Sequence, residues 1–207
     1  MITHIVFDID GTLIDTEKYV LQAFQKSVLE IENRLIPLEK LQCVFGVPNQ
    51  EAMEKMEILK TRQVEKRWDE LYRQAFCNVA LFDGIRESLQ ALKDSGRCTL
   101  GIITSKLDIE LRLDFDYQKM WPYFSHFVCA SDTKLHKPYP DPMLKYLEKS
   151  GANPKETIYI GDTVYDKQCA HGAGTLFGLA VWGAHNKNTV EADYYFDHPK
   201  DILQLIK

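Results

Sequence analysis

Short apolar runs, each closed by an acid, a hydroxyl residue or a glycine and separated by stretches of helical periodicity, leave this chain few folds to choose from. ITHIVFDI near the start, CTLGIIT from Cys98 to Thr104, SHFVCAS from Ser125 to Ser131, TIYIGD from Thr157 to Asp162 and LFGLAVW from Leu176 to Trp182 read as buried strands. Between them lie helical stretches. One is opened by Asp83-Gly84 and closed by Gly96, one runs from Pro140 to Ser150 and stops at Gly151, and one runs on to Gly174. Strands alternating with helices predict a Rossmann-like α/β core, a parallel sheet with helices on both faces.

Residues 16–80 interrupt that pattern. Tyr19, Val20, Ala23, Phe24, Ser27, Val28 and Ile31 recur at helical spacing until Pro37 and Gly46-Val47-Pro48 break it. A second helix is expected over 49–59. A third, charged one is expected from Thr61 to Ala80, with Val64, Trp68, Leu71, Tyr72 and Ala75 on one face. No strand is expected in this segment. The organisation is therefore an α/β core made of residues 1–15 and 81–207, with a small all-helical domain, 16–80, inserted after the first strand. In open α/β sheets ligands bind at the carboxyl ends of the strands, so an insertion there is expected to act as a cap.

Composition narrows the function classes. The 207 residues carry a formal net charge of -5, which offers no global field for nucleic acid or an anionic membrane. No apolar run is long enough to span a bilayer, and Met1-Ile2-Thr3-His4 lacks the features of a signal peptide. The cysteines, Cys43, Cys77, Cys98, Cys129 and Cys169, are odd in number and form no C-x-x-C pair. They read as buried free thiols of a cytoplasmic protein, not as a zinc site.

The groups able to do chemistry fall in clusters after the strand ends. Asp8 and Asp10, two apart on an extended backbone, point the same way into one pocket, and Gly11 allows a sharp turn after them. Such a pair requires a cation or a shared proton unless it is a solvated acidic turn. A calcium loop counted from Asp8 fails at its sixth position, Leu13, and its twelfth, Tyr19. Thr104 and Ser105, with Lys106 after them, offer hydroxyls and backbone N–H groups to an oxyanion, or simply cap a helix. Lys137, set among Pro138 and Pro140, can be aimed at an anion as a point charge, or belong to an ordinary polar loop in which His136 is exposed. Asp162 and Asp166, one helical turn apart, can face a divalent cation, or cap a helix.

Taken in order, Asp8-x-Asp10-Gly11-Thr12, Thr104, Lys137 followed by Pro-x-Pro, and Gly161-Asp162-Thr163-x-x-Asp166 resemble the motifs of the haloacid dehalogenase-like hydrolases. The helical insertion looks like the cap of the phosphoglycolate phosphatase and beta-phosphoglucomutase branch, and Gly46-Val47-Pro48 like a turn of such caps. His171 departs from the small-residue pattern that usually follows the fourth motif. It reads as a helix-surface residue, and Trp182 and His185 as pocket-rim, core or loop residues.

The resemblance implies a magnesium-dependent phosphatase acting on a small phosphate monoester. Asp8 is the implied nucleophile, forming an aspartyl phosphate, and Asp10 the implied acid/base. Gly11, Thr104, Ser105 and Lys137 are expected to bind phosphate. Asp8, Asp162 and the backbone carbonyl of Asp10 are expected to hold Mg²⁺, with Asp166 behind them. The same motifs serve a sugar-phosphate mutase, and a non-catalytic phosphate- or metal-binding regulator can keep the fold. The partner expected is a small phosphate ester, with neither nucleic acid nor membrane; monomer and homodimer stay equally open.

Overall fold

The computed structural model describes residues 1–45, 49–75, 78–184 and 190–207. Gly46-Val47-Pro48, Cys77 and His185 therefore lie outside the described residues. The strands are β1 (His4–Phe7), β2 (Ile14–Asp15), β3 (Ala80–Leu81), β4 (Thr99–Ile103), β5 (His126–Val128), β6 (Thr157–Gly161), β7 (Leu176–Ala180) and β8 (Tyr194–Phe196). The α-helices are α1 (Glu17–Glu32), α2 (Leu38–Leu41), α3 (Asn49–Lys55), α4 (Thr61–Ala75), α5 (Ile85–Ser95), α6 (Asp108–Gln118), α7 (Asp141–Ser150) and α8 (Val164–Gly172).

The main sheet has the order β5-β4-β1-β6-β7-β8, with parallel pairing throughout. Beyond the expected strands it includes β8, a short edge strand beside β7. The register places His4 opposite both Thr99 and Thr157, so β1 runs between β4 and β6. Successive units build outward from β1 on one side and then on the other. That reversal makes the carboxyl end of β1 the switch point where an α/β sheet leaves a crevice. The strands hold fully buried residues such as Ile5, Phe7, Ile102, Tyr159 and Phe177. Residues buried on both faces are what a helix-covered parallel sheet requires.

The chain divides into two compact units, residues 1–14 with 81–207 and residues 15–80. In the second, α1 and α4 pack through Phe24 and Trp68, whose rings are 4.7 Å apart, and the Trp68 indole donates to Val20 O at 3.1 Å. The described part of the insertion, 16–80, is helical as expected except at its end. α4 stops at Ala75, and Ala80 enters β3, which pairs with β2. Two-residue strands carry too little apolar alternation to register as a pattern.

The described cysteines form no disulfide. Cys129 and Cys169 are buried, but Cys98 is only half-buried and Cys43 is exposed, against the expectation that all would be interior. Among the described residues no helix is long and apolar enough to cross a membrane.

Candidate active site

Asp8 continues β1, its N–H donating to Ile160 O at 2.9 Å. Beyond Asp10 the chain tightens. The N–H groups of Thr12, Leu13 and Ile14 all converge on Ile9 O, and Gly11 N–H donates to Ile14 O at 2.9 Å. Gly11 has φ +79°, and a Cβ there would lie 2.4 Å from Asp162 Oδ2. The glycine thus lets the turn press against the end of β6. Its amide hydrogen donates to Ile14 O, and the absence of a side chain makes the turn and the room.

Behind the turn lies a closed charge network. The Lys137 ammonium sits 3.0 Å from Asp8 Oδ1 and 2.8 Å from Asp166 Oδ1. The Tyr159 hydroxyl, on β6, lies 3.1 Å from Asp166 Oδ1 and accepts from Lys137 at 3.3 Å. The other Asp166 oxygen accepts from the N–H and hydroxyl of Thr163, closing a capping box at the start of α8. One carboxylate therefore both caps the helix and holds the lysine. Asp162 accepts from the Thr12 hydroxyl at 2.9 Å.

Burial sets the electrostatics. Desolvation raises Asp8 from 3.8 to about 7, with Asp166 and Asp10 adding to it and Lys137 only partly offsetting it. Burial likewise drives Asp162 well above the carboxylate range, helped by repulsion from Asp166 and Asp8. For Lys137 burial works to lower the pKa, but the carboxylates of Asp166 and Asp8 outweigh it and the net shift is upward. The lysine is a fixed cation.

Asp10 has its own lysine, which sequence reasoning missed. Lys106 Nζ lies 2.9 Å from Asp10 Oδ1 and 3.2 Å from Asp114 Oδ2 on α6. Burial raises Asp114 to about 6, against the lowering effect of Lys106. Thr104, at the end of β4, is buried, and its hydroxyl accepts from Lys106 N–H at 3.1 Å, leaving its proton to donate. The Ser105 hydroxyl is buried without a hydrogen-bond partner among the described residues, a donor ready for an anion. His136 is half-buried and not exposed as expected, with Nδ1 buried and without a hydrogen-bond partner among the described residues. The Trp182 indole donates to Thr12 O at 2.9 Å, so it buttresses the turn from the end of β7. His171 bonds to Asp193 at 2.9 Å, on the exposed side of α8.

Carboxylate oxygens of Asp8, Asp162 and Asp166 lie within 4.8 Å of one another, all buried. The donors are oxygen only, and Asp8 and Asp162 are both pushed upward chiefly by burial, Asp8 with repulsion from Asp166 and Asp10, Asp162 with repulsion from Asp166 and Asp8. A hard divalent cation fits that donor set. Asp166, with Lys137, Tyr159 and Thr163 on its oxygens, supports the cluster from behind.

A parallel α/β sheet with this acid and lysine cluster at its switch point is the arrangement of one hydrolase family, and the chain belongs to it: the model of the haloacid dehalogenase-like hydrolases matches residues 5–180. Similar curated proteins include the phosphoglycolate phosphatase of Aquifex aeolicus, 29% identical over 98% of this chain and 95% of its own length. Another is the pyrophosphatase PpaX of Bacillus velezensis, 27% identical over 99% of this chain and 96% of its own. Among solved structures, a candidate phosphoglycolate phosphatase from Lactobacillus plantarum superposes with a TM-score of 0.90, at 29% identity, covering 99% of this chain and all of that one (100%).

Proposed function

We propose that the protein hydrolyses a small phosphate monoester in two steps through Asp8, with Asp10 as acid and then base. One observation carries this reading: Asp8, only 3% exposed, meets Lys137 at 3.0 Å while facing Asp162. A buried carboxylate beside a permanent cation and a candidate metal cluster is a nucleophile screened from an incoming dianion. Similar proteins are phosphatases, and all the motif residues are present.

An oxygen of Asp8 attacks phosphorus in line. Asp10 gives its proton to the departing oxygen, and the alcohol leaves. Asp10, now ionised, removes a proton from water as that water attacks the aspartyl phosphate, releasing inorganic phosphate and restoring Asp8. Thr104, Ser105 and Lys137 hold the phosphoryl oxygens. Asp8, Asp162 and the Asp10 carbonyl would hold Mg²⁺, which supplies charge neutralisation for the phosphate and the two acids. The segment 16–80 acts as the cap that selects the leaving group and excludes water. The free thiols suit a reducing cytoplasm.

The test is phosphate release from a panel that includes 2-phosphoglycolate, sugar phosphates and pyrophosphate, with and without magnesium. Magnesium-dependent release of free phosphate supports the reading. Isomerised sugar phosphate without release would make the protein a mutase, and metal binding without turnover a regulator.

Two variants probe the machinery. Asp162→Asn keeps the Thr12 contact but loses charge, so the magnesium concentration for half-maximal activity is expected to rise by about tenfold or more. An unchanged titration would remove Asp162 from the ligand set. Gly183→Ala acts at a distance. Its Cβ would lie 1.6 Å from Gly11 O, a backbone atom that can move only by displacing the turn beside Asp10. Turnover is expected to fall by about 100-fold, since misplacement near 1 Å costs that much. Wild-type turnover in folded Gly183→Ala would show that the turn tolerates the shift.

A further inference from the structure

The site uses the same device twice, and its second use has no assigned role. Lys137 bridges Asp8 to Asp166. Lys106 stands between Asp10 and Asp114 as an ion pair with each, at 2.9 and 3.2 Å. In each bridge the acid that follows β1 is the more exposed of the two and the far acid is buried in the wall; the Asp10 side chain is 19% exposed, that of Asp114 only 2%, that of Asp8 5% and that of Asp166 0%. The far acid is expensive to keep. Asp114 lies on the inner face of α6 with Leu111 and Phe115, where an apolar residue would pack against the sheet at less cost. The lysine is held too. Its N–H donates to the Thr104 hydroxyl, and its carbonyl accepts from Ala130 N–H at 2.9 Å, which ties the loop after β4 to the turn after β5. A long side chain held at its backbone and paired by charge at its tip with two carboxylates restricts where the Asp10 carboxyl can go.

We infer that Lys106, anchored by Asp114, is a positioning residue that fixes the Asp10 carboxyl for proton transfer to the leaving group. The inference rests on the acid/base reading of Asp10. Lys106 touches Asp10 and acts through it, while Lys137 serves the nucleophile. A carboxyl free to rotate would miss the bridging oxygen in most encounters, and a proton transfer is only as good as its geometry.

The readout is the dependence of kcat/KM on leaving group, measured with magnesium on phenyl phosphate and p-nitrophenyl phosphate. These differ little in shape but strongly in how far the departing oxygen needs a proton. For Asp10→Asn the phenyl ester is expected to lose about 100-fold or more and the nitrophenyl ester much less. Lys106→Met is expected to show the same skew at about 10- to 100-fold on the phenyl ester, with the magnesium requirement unchanged. Because Lys106→Met leaves Asp114 buried without a partner, Lys106→Met/Asp114→Asn is measured beside it. The double variant recovers the melting temperature and keeps the skew. An equal loss on both esters in the folded double variant would reduce the pair to a structural tie between α6 and the sheet, and would overturn the inference. If Asp10→Asn itself shows no skew, the acid/base reading fails, and with it the inference; a skew in Asp10→Asn alone overturns only the role of Lys106.

Discussion

Asp8→Asn is expected to abolish turnover while making the metal-free protein more stable at neutral pH. The activity loss should be roughly ten-thousand-fold or more, as for removal of a covalent nucleophile. The stability gain follows from linkage. Asp8 has its folded pKa raised to about 7 from the ordinary 3.8, with burial the main cause. The folded state therefore holds a proton that the unfolded state has already released. That contribution to stability is complete below about pH 4 and disappears as pH rises through about 7. Asparagine is shaped like the protonated acid and cannot ionise. The variant should escape this part of the loss, by on the order of 1 kcal/mol or more at pH 7 without metal. Magnesium should reverse the ranking, because the proposed site uses the wild-type Asp8 carboxylate, and binding there would raise the wild-type melting temperature more than that of the variant. Thermal melts from pH 4 to 8, with and without magnesium, measure all of this. A variant less stable than wild type at pH 7 in the absence of metal would mean that Lys137 already satisfies an ionised Asp8. Residual turnover in Asp8→Asn would remove Asp8 as the nucleophile.

Residues of the site differ in how openly the sequence displays them, and the reason is physical. Asp8 and Asp10 are legible because a strand of period two sends alternate side chains one way, and because nothing but chemistry or solvent explains acids after a buried run. Asp162 and Asp166 are legible for the same kind of reason on a helix. Lys106 and Asp114 are not. The periodicity of α6 misleads: Ile109, Leu113 and Tyr117 are exposed, while Asp114 and Gln118 are buried with Leu111 and Phe115. An acid on a helix reads as solvent-facing until a partner from another element is known, and that partner stands at the end of β4. Tyr159 is hidden in the opposite way. In TIYIG it reads as one more apolar strand residue, yet its hydroxyl supports Lys137 and Asp166. The hydrogen bond from Trp182 to Thr12 joins residues far apart in sequence, and local pattern carries no trace of it. The same limit applies to the fold. Long helices and core strands announce themselves, whereas β2, β3 and β8, of two or three residues, are defined by what they pair with.

Lys137→Met should produce the largest stability loss of any substitution in the site. The ammonium is buried between two buried carboxylates, and removing it leaves Asp8 and Asp166 facing each other with no counter-charge. Breaking a buried ion pair from one side costs about 3–5 kcal/mol, chiefly the penalty of the stranded charge. In the metal-free protein the two acids can then ionise together only at great cost. Asp8 should keep its proton through neutral pH and fail as a nucleophile, so turnover should fall by about 1,000-fold. Magnesium held by Asp8 and Asp162, as proposed, should recover part of the stability but would not replace the cation at Asp166. Adding Asp166→Asn separates the two roles. Asparagine still offers an oxygen to Thr163 at the start of α8 and carries no charge to strand. The double variant should therefore regain most of the lost melting temperature while turnover stays low, because Asp8 still lacks its fixed cation. If turnover returned along with stability, Lys137 would be a structural counter-ion for Asp166, and the phosphoryl group would be held by Thr104, Ser105 and the metal alone.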